Sequence, residues 1–295
     1  MNGSVDGTRS GRAATARLIV GCGYLGERVG RDWLAAGDRV FAVTRRDARA
    51  AELAAAGFQP IVADVAAAEA VDWLATLPEV ATVFWAVGFD RGSGRTHADV
   101  HLGGLGRLLD ALPAAPRPIL SSSTGVWGDE SGAIVDEDTP PRPSREAGRV
   151  LVAAESLLRA HRLGPGVALR FAGLYGPGRL PRLDQLRAGV PIAADPDSWL
   201  NLVHVDDAAR VVAAVAAATD PAPLYVVSDG RPVRRRDWYC RVAACAGAPA
   251  PTWDATAPRD RGADKRVNPA RLFRDLPVTL AHPDALAAIE SLFSR

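Results

Sequence analysis

Three glycines near the start of the chain have a spacing that suits a phosphate-binding turn. They form the pattern Gly-x-Gly-x-x-Gly between a β-branched run ending at Val20 and an alanine-rich helical pattern. The first glycine permits a sharp turn, the second lets a pyrophosphate come close, and the third lets the helix pack tightly on the strand. Unpaired amides at the helix N-terminus then face the anion. The alternative is an ordinary turn in an unrelated α/β protein. The predicted cofactor-binding residues of this turn are Gly21, Cys22, Gly23, Tyr24, Leu25 and Gly26.

The residues after the second predicted strand indicate which dinucleotide would bind. Thr44, Arg45 and Arg46 follow the run Val40–Val43, and no acid occupies the end of that strand. An acid there would bind the ribose 2′-hydroxyl of NAD, whereas arginine suits the 2′-phosphate of NADP. Asp47 comes one position later, where it can cap the next helix. The sequence therefore predicts NADP(H) over NAD(H), unless the two arginines are merely solvated.

The composition excludes several classes of function. The formal charge of +1 gives no general electrostatic case for binding nucleic acid or an anionic membrane. Three cysteines without a metal-ligand pattern fit a reducing, cytoplasmic setting, and the five scattered histidines predict no metal site. No apolar run reaches the length of a membrane span. Residues 1–14 are rich in Gly, Ser, Thr and Arg and are predicted to be a disordered leader.

Apolar strand-like runs alternate with alanine-rich helical patterns, which is typical of a parallel sheet covered on both faces. We therefore predict an α/β fold, a Rossmann-type doubly wound parallel sheet over residues 15–172. Residues 173–295 are mainly a small substrate lobe, with 200–230 returning to the main sheet. The predicted strands are Leu18–Val20, Val40–Val43, Pro60–Ala63, Thr82–Ala86, Pro118–Ser122 and Val167–Arg170. The predicted helices are Tyr24–Ala36, Ala48–Ala56, Ala66–Ala75, Ala98–Leu112 and Arg145–His161.

Several ordered motifs make the chain resemble the extended short-chain dehydrogenase/reductase family, in its NAD-dependent epimerase/dehydratase branch. The resemblance covers about Ala16 to Ala246. Besides the glycine turn, it rests on the segments Ala63–Val65, Ser121–Gly128, Val135–Pro140, Arg170–Gly178 and Leu202–Asp207. The family resemblance implies a small-molecule substrate and a homodimer.

The resemblance also implies roles for individual residues. Asp64 and Val65 should lie beside the adenine. Ser123 should be the catalytic residue that hydrogen-bonds the reacting oxygen. His101 stands where many members carry an asparagine that supports the active site, although it could equally be a helix residue bonded locally. The path toward the nicotinamide should be lined by Ala86, Val87 and Gly88.

The chain departs from the family at the Tyr-x-x-x-Lys pair, whose tyrosine passes the proton while the lysine lowers its pKa and holds the ribose. Ala147 and Leu151 stand at these positions, so the usual proton transfer has no donor. The residues considered as substitutes are Arg149, as a charge for the ribose or a substrate anion, Glu146, as a base, Tyr175, as a donor, and Trp127, as a pocket residue.

Two hypotheses follow. The first is an NADP-dependent oxidoreductase or epimerase-like enzyme on a small polar substrate, such as a nucleotide-linked sugar, with a non-standard active site. The second is a non-catalytic NADP(H)-binding sensor or scaffold. Under either hypothesis the chain resembles an atypical subgroup of the family that keeps the cofactor site and lacks the Tyr-x-x-x-Lys pair. Further arginines could bind an anionic substrate in the second lobe, while a solvated basic face also explains the last three. They are Arg179, Arg182, Arg187 and Arg234–Arg236.

Overall fold

A computed structural model describes residues 14–67, 71–113, 116–128, 130–164, 166–254 and 264–294. The predicted leader, apart from residue 14, lies outside these ranges. The strands are β1 (Ala16–Val20), β2 (Arg39–Thr44), β3 (Gln59–Val62), β4 (Thr82–Trp85), β5 (Arg117–Ser123), β6 (Ile134–Val135), β7 (Val167–Phe171), β8 (Gly173–Tyr175), β9 (Trp199–Leu200), β10 (Leu202–His204), β11 (Leu224–Val227), β12 (Val233–Arg234) and β13 (Arg266–Val267). The α-helices are α1 (Tyr24–Ala35), α2 (Asp47–Ala55), α3 (Leu105–Ala111), α4 (Glu146–Ala160), α5 (Leu183–Arg187), α6 (Val205–Ala217), α7 (Arg235–Ala246), α8 (Ala270–Asp275) and α9 (Ala285–Ala288).

Seven parallel strands form the central sheet, in the order β3-β2-β1-β4-β5-β7-β11. Successive residues of β1 contribute to different cores, because their side chains point to opposite faces of the sheet. Ile19 packs with α1 and α6 on one face, whereas Leu18 and Val20 pack with α3 and α4 on the other. The predicted doubly wound α/β fold is confirmed.

A second core lies beyond β7 and is built from the C-terminal part of the chain. Tyr175, Trp238 and Ile289 are fully buried in it, and α5, α7 and α9 surround it. The short pairs β8–β10 and β9–β12 belong to this second lobe. Strand β11 follows part of this lobe in the chain and pairs with β7, which returns the chain to the central sheet.

Two of the predicted helices differ from the structure. Where a helix was expected over Ala66–Ala75, the structure shows a 3-10 turn at Asp72–Thr76, and residues 68–70 lie outside the described ranges. The Asp64 carboxylate accepts a hydrogen bond from the Ala66 amide at 3.0 Å, in a turn that does not continue as an α-helix over the described residues. The helix expected over Ala98–Leu112 begins as a π-helix, Asp99–Gly104, before α3.

A buried ion pair joins α4 to strands β5 and β7 of the sheet. Arg170 on β7 donates to both oxygens of Glu155 on α4, with Nη2 2.7 Å from Oε2. Ser122 on β5 donates to the same carboxylate, and the guanidinium also lies 4.6 Å from the ring centroid of Trp127. Both charged side chains are 3% exposed, so each charge is compensated by the other instead of by water.

We expect Glu155→Ala to destabilise the protein by about 3–5 kcal/mol, because it leaves the Arg170 guanidinium buried without its carboxylate. Urea unfolding followed by circular dichroism measures the change. The matched control is Glu146→Ala, since Glu146 is exposed on the first turn of the same helix and should shift stability by less than about 0.5 kcal/mol. Equal stability of the two variants would contradict a structural role for the pair.

Candidate dinucleotide-binding site

A cavity of about 680 Å³ opens at the carboxyl ends of the first four strands. It lies where the strand order reverses between β1 and β4, which is the crevice that α/β sheets use for ligands. Gly26 alone among the predicted cofactor residues is not on its wall; it lies beneath, between α1 and β1. The predicted residues on the wall are Gly21, Cys22, Gly23, Tyr24, Leu25, Thr44, Arg45, Arg46, Asp64, Val65, Ala86, Val87 and Gly88.

The three glycines of the turn differ in their surroundings. Gly21 has φ +89°, and a Cβ there would lie 2.6 Å from the Val87 Cα. A Cβ on Gly26 would lie 2.8 Å from the Gly21 carbonyl oxygen. Gly23 has no atom within 4 Å of such a Cβ, so it faces open space within the cavity wall. The first and third glycines therefore serve the packing of the turn, and the second leaves room for a ligand.

The N-terminus of α1 presents backbone amides to this open space. The amides of Gly21 and Cys22 donate to the Val43 carbonyl, and Gly23 donates to Gly21. The first bond closing the helix runs from Glu27 to the Gly23 carbonyl, and no side chain caps the helix within the described residues. The amides of residues 24–26 precede that bond and suit an anion.

Two of the arginines around the cavity are neutralised by acids that also line it. Arg45 lies 2.8 Å from Asp90, and Arg95 lies 3.6 Å from Asp64. Their positive charge is thus already partnered on the cavity wall.

Three further arginines line the same cavity. Arg49 pairs with Glu27 and Glu52 and hence is also neutralised. Within the described parts of the chain, the side chains of Arg46 and Arg179 form no ion pair or hydrogen bond. These two exposed guanidinium groups are the cations of the cavity available to an anionic ligand.

The predicted catalytic residues are not brought together on this cavity. Ser123 is partly exposed at the end of β5, and its Oγ accepts the Gly125 amide at 3.0 Å. Ser121, two residues earlier on β5, lines the cavity instead. Arg149 is exposed on the first turn of α4, and its side chain has no hydrogen bond to a described residue.

The structure does not support the prediction that Tyr175 is a proton donor. Its ring is fully buried in the second core, edge-on to His204 and Trp238 at centroid distances of 5.2 and 5.3 Å. Burial also raises the pKa of the Tyr175 hydroxyl. The hydroxyl therefore packs inside the lobe and does not reach a substrate at the sheet edge. Trp127, with 1% exposure, is likewise a core residue.

The α4 segment carries the substituted Tyr and Lys positions close to the Ser123 turn. A Cβ on Gly148 would lie 2.7 Å from the Gly125 carbonyl oxygen, so the helix contacts this turn through a glycine. Ala147 is half-buried beside it, and Leu151 packs against the cluster that contains Val126 and Trp127. An isobutyl group thus fills apolar space where the family has an ammonium.

His101 and Cys22 lie at or next to the cavity, and burial alters both. Burial lowers the pKa of His101 to about 4, so the imidazole is neutral at pH 7. The ring is 7% exposed, lies 5.9 Å from that of His97, and its Nδ1 has no partner in the described chain. Burial also raises the pKa of the Cys22 thiol to about 12, which excludes it as a thiolate nucleophile.

Several residues of the cavity were missed by sequence reasoning. Arg49 lies on α2 and Arg95 in a loop, and neither residue belongs to the glycine turn or to the end of a predicted strand. Outside the cavity, sequence reasoning also overlooked Lys265, the one lysine of the sequence. It is 6% exposed, and its ammonium donates to the Trp127 carbonyl at 3.1 Å. Its rarity beside 34 arginines was the available signal.

A glycine turn at the switch point of a doubly wound parallel sheet defines a Rossmann-type protein. The chain belongs to the NAD dependent epimerase/dehydratase family, whose model matches residues 18–228. The resemblance read from the motifs is thereby confirmed at the level of the family.

The chain is also similar to individual proteins. Over 193 residues the chain is 32% identical to protein YeeZ of Escherichia coli K12, covering 64% of this chain and 67% of that protein. A solved structure of a candidate NAD-dependent epimerase/dehydratase from Methylobacillus flagellatus is 30% identical, with a TM-score of 0.76 and coverage of 96% and 98%. UDP-glucose 4-epimerase from Thermus thermophilus, solved with NAD, shares the fold at 20% identity and a TM-score of 0.76, with coverage of 95% and 99%.

Two other kinds of feature are absent from the described residues. No helix there is both long and apolar enough to cross a membrane. No group of three or more His, Cys, Asp or Glu side chains in the same ranges is arranged to hold a metal ion.

We expect the stability of the protein to fall as the pH drops from about 6.5 to 4. An unfolded histidine takes up its proton near pH 6.5, whereas folded His101 does so only near pH 4, so acid favours the unfolded state. The shift corresponds to about 3 kcal/mol for this residue. Chemical unfolding at several pH values should show a shallower acid loss in His101→Asn. An identical slope in both proteins would contradict a buried neutral imidazole.

Proposed function

We propose that the protein binds NADP(H) in the cavity at the glycine turn and uses it as an oxidoreductase or epimerase-like enzyme. The substrate class is a small polar molecule, such as a nucleotide-linked sugar. The observation that carries the proposal is the open space at Gly23, with uncapped α1 amides on one side and the unpaired Arg46 on another. When bound, the nicotinamide of such a cofactor exchanges a hydride with the substrate.

The preference for NADP rests on the end of β2. Thr44 and Arg46 line the cavity there, and no carboxylate follows the strand until Asp47, which begins α2. A carboxylate on the ribose hydroxyl is the usual NAD contact, whereas a free guanidinium favours a phosphate. Arg45 is partnered by Asp90, so Arg46 is the residue that we assign to the 2′-phosphate. The structure of the Thermus enzyme contains NAD, which makes the choice of dinucleotide the first point to test.

Catalysis requires a non-standard proton donor, because Ala147 and Leu151 carry none. In this proposal the Ser123 hydroxyl donates a hydrogen bond to the reacting oxygen, while its Oγ still accepts the Gly125 amide. Arg149, exposed on the first turn of α4, is the candidate that supplies charge to the ribose or a substrate anion. The protein would belong to an atypical subgroup of the family and act in the reducing cytoplasm.

A second function is favoured by the same two substituted positions. Leu151 packs into an apolar cluster, so the space of the missing lysine is filled by core packing. A protein that binds NADP(H) without turnover, as a sensor or scaffold, would have no need of that lysine. Activity measurements separate the two functions.

Arg46→Gln should weaken NADPH binding by roughly 10- to 100-fold and leave NADH binding nearly unchanged, because only NADPH carries the 2′-phosphate. Fluorescence titration of both cofactors measures the dissociation constants. Arg45→Gln is the matched control, since Arg45 is paired with Asp90 and should contribute less. If the unsubstituted protein bound NADH at least as tightly as NADPH, the assignment of NADP would be wrong.

Ser123→Ala should lower any NADPH-dependent turnover by about 100-fold or more, because a hydrogen-bond donor to the reacting oxygen is lost. NADPH absorbance is followed over a panel of aldehydes, ketones and nucleotide sugars. Ser156→Ala on the exposed side of α4 serves as the control and should keep the full rate. An unchanged rate in Ser123→Ala would remove this serine from the mechanism, and no turnover across the panel would favour the sensor.

A further inference from the structure

Arg179 reaches the dinucleotide cavity from the second lobe. It follows β8 in the chain and lines the cavity. Its guanidinium carbon is 5.4 Å from the ring centroid of Tyr24, the first residue of α1. The arginine and the uncapped amides of α1 are therefore on neighbouring parts of the same wall.

A tight turn fixes this approach. The amide of Gly176 donates to the Arg179 carbonyl, and the amide of Arg179 donates back to Gly176. Gly176 has φ +148°, and a Cβ there would lie 2.9 Å from the Tyr24 hydroxyl oxygen and 3.1 Å from Nε2 of His204. The turn therefore packs against the Tyr24 side chain. This contact places the second lobe beside the N-terminus of α1.

The two arginines beside the Tyr24 ring differ in charge compensation. Arg28 lies 4.2 Å from the ring centroid and pairs with Asp206 at 2.9 Å. Arg179 has no carboxylate partner among the described residues and is exposed to solvent. An unpaired guanidinium next to a helix N-terminus adds a second source of positive potential, and arginine binds phosphate oxygens with charge-assisted hydrogen bonds.

From this placement we infer that Arg179 binds the diphosphate of the dinucleotide, so that the bound cofactor joins the second lobe to the central sheet. The inference rests on the proposed function, because it assumes that a dinucleotide occupies the cavity. Arg46 and Arg179 then have separate tasks. Arg46 binds the 2′-phosphate at the adenosine end, and Arg179 binds the diphosphate at the glycine turn.

Ligand fragments separate these two tasks. ADP carries the diphosphate without a 2′-phosphate, whereas adenosine 2′-monophosphate carries only the latter. Arg179→Gln should weaken NADPH and ADP by about tenfold while leaving adenosine 2′-monophosphate unchanged. Arg46→Gln should weaken adenosine 2′-monophosphate and NADPH but not ADP. Fluorescence titration measures the binding of NADPH, and competition against bound NADPH measures the binding of ADP and of adenosine 2′-monophosphate.

Two variants complete the experiment. Arg159→Gln is the matched control, because Arg159 is exposed on α4 and does not line the cavity. It should bind every ligand as the unsubstituted protein does. Arg179→Lys keeps the charge and should therefore lose less affinity than Arg179→Gln, but it should still bind less tightly than the parent because an ammonium cannot form a bidentate contact. Thermal unfolding of each apo variant should match the parent.

A second measurement does not depend on affinity. Hydrogen exchange of the Gly176–Arg179 turn should slow when NADPH binds the parent protein, and should slow less in Arg179→Gln.

The outcomes distinguish the inference from the proposed function. If the parent binds NADPH but Arg179→Gln binds NADPH and ADP equally well, the inference is overturned and the proposed function stands. An equal loss for adenosine 2′-monophosphate would also overturn it, because the effect would then be a general change in charge. No NADPH binding by the parent would overturn both.

Discussion

The site depends on the close contact between helix α1 and strand β1. Gly26 places no side chain between the helix and the Gly21 carbonyl, and a Cβ on Gly30 would lie 2.2 Å from the Phe58 ring. A larger residue at Gly26 would push α1 away from the backbone at the end of β1, and one at Gly30 would displace either the Phe58 ring or the helix. Because α1 can lie this close, its first amides are held at the carboxyl edge of β1, beside the segments that follow β2 and β4. The cavity exists because of this contact.

A second constraint explains how the fold keeps helix α4 in place while its chemistry has changed. The Glu155–Arg170 pair and the Ser122 hydroxyl fix α4 against β5 and β7. Leu151 adds apolar contact with the cluster around Trp127. The helix therefore stands beside the Ser123 turn without the family tyrosine and lysine. Its position is maintained by burial and ion pairing, independently of any role in proton transfer.

The central sheet was predictable because its strands are buried on both faces and read as nearly continuous apolar runs. All six predicted strands are present, with ends shifted by no more than two residues. The helix predicted over Ala66–Ala75 was wrong: an alanine-rich composition favours a helix locally, whereas the described residues form a turn at 65–67 and a 3-10 turn at Asp72–Thr76. The spacing of apolar residues likewise did not predict that Asp99–Gly104 would be a π-helix instead of an α-helix.

For the site, motif residues were predictable and residues that depend on tertiary packing were not. The glycine turn and the strand-end residues lie on the cavity because short loops fix their place. Tyr175 was misjudged because a motif position does not tell which way a ring points; this one packs into the second core. The ion-pair partner that distinguishes Arg45 from Arg46, Asp90, comes from a loop distant in sequence.

A crystal structure of the protein grown with NADPH tests the central claim most directly. We predict the diphosphate against the amides that follow Gly23 and the 2′-phosphate on the Arg46 guanidinium, in the cavity between β1 and β4. Density for the dinucleotide elsewhere, or an empty cavity at saturating NADPH with measured binding in solution, would contradict this account.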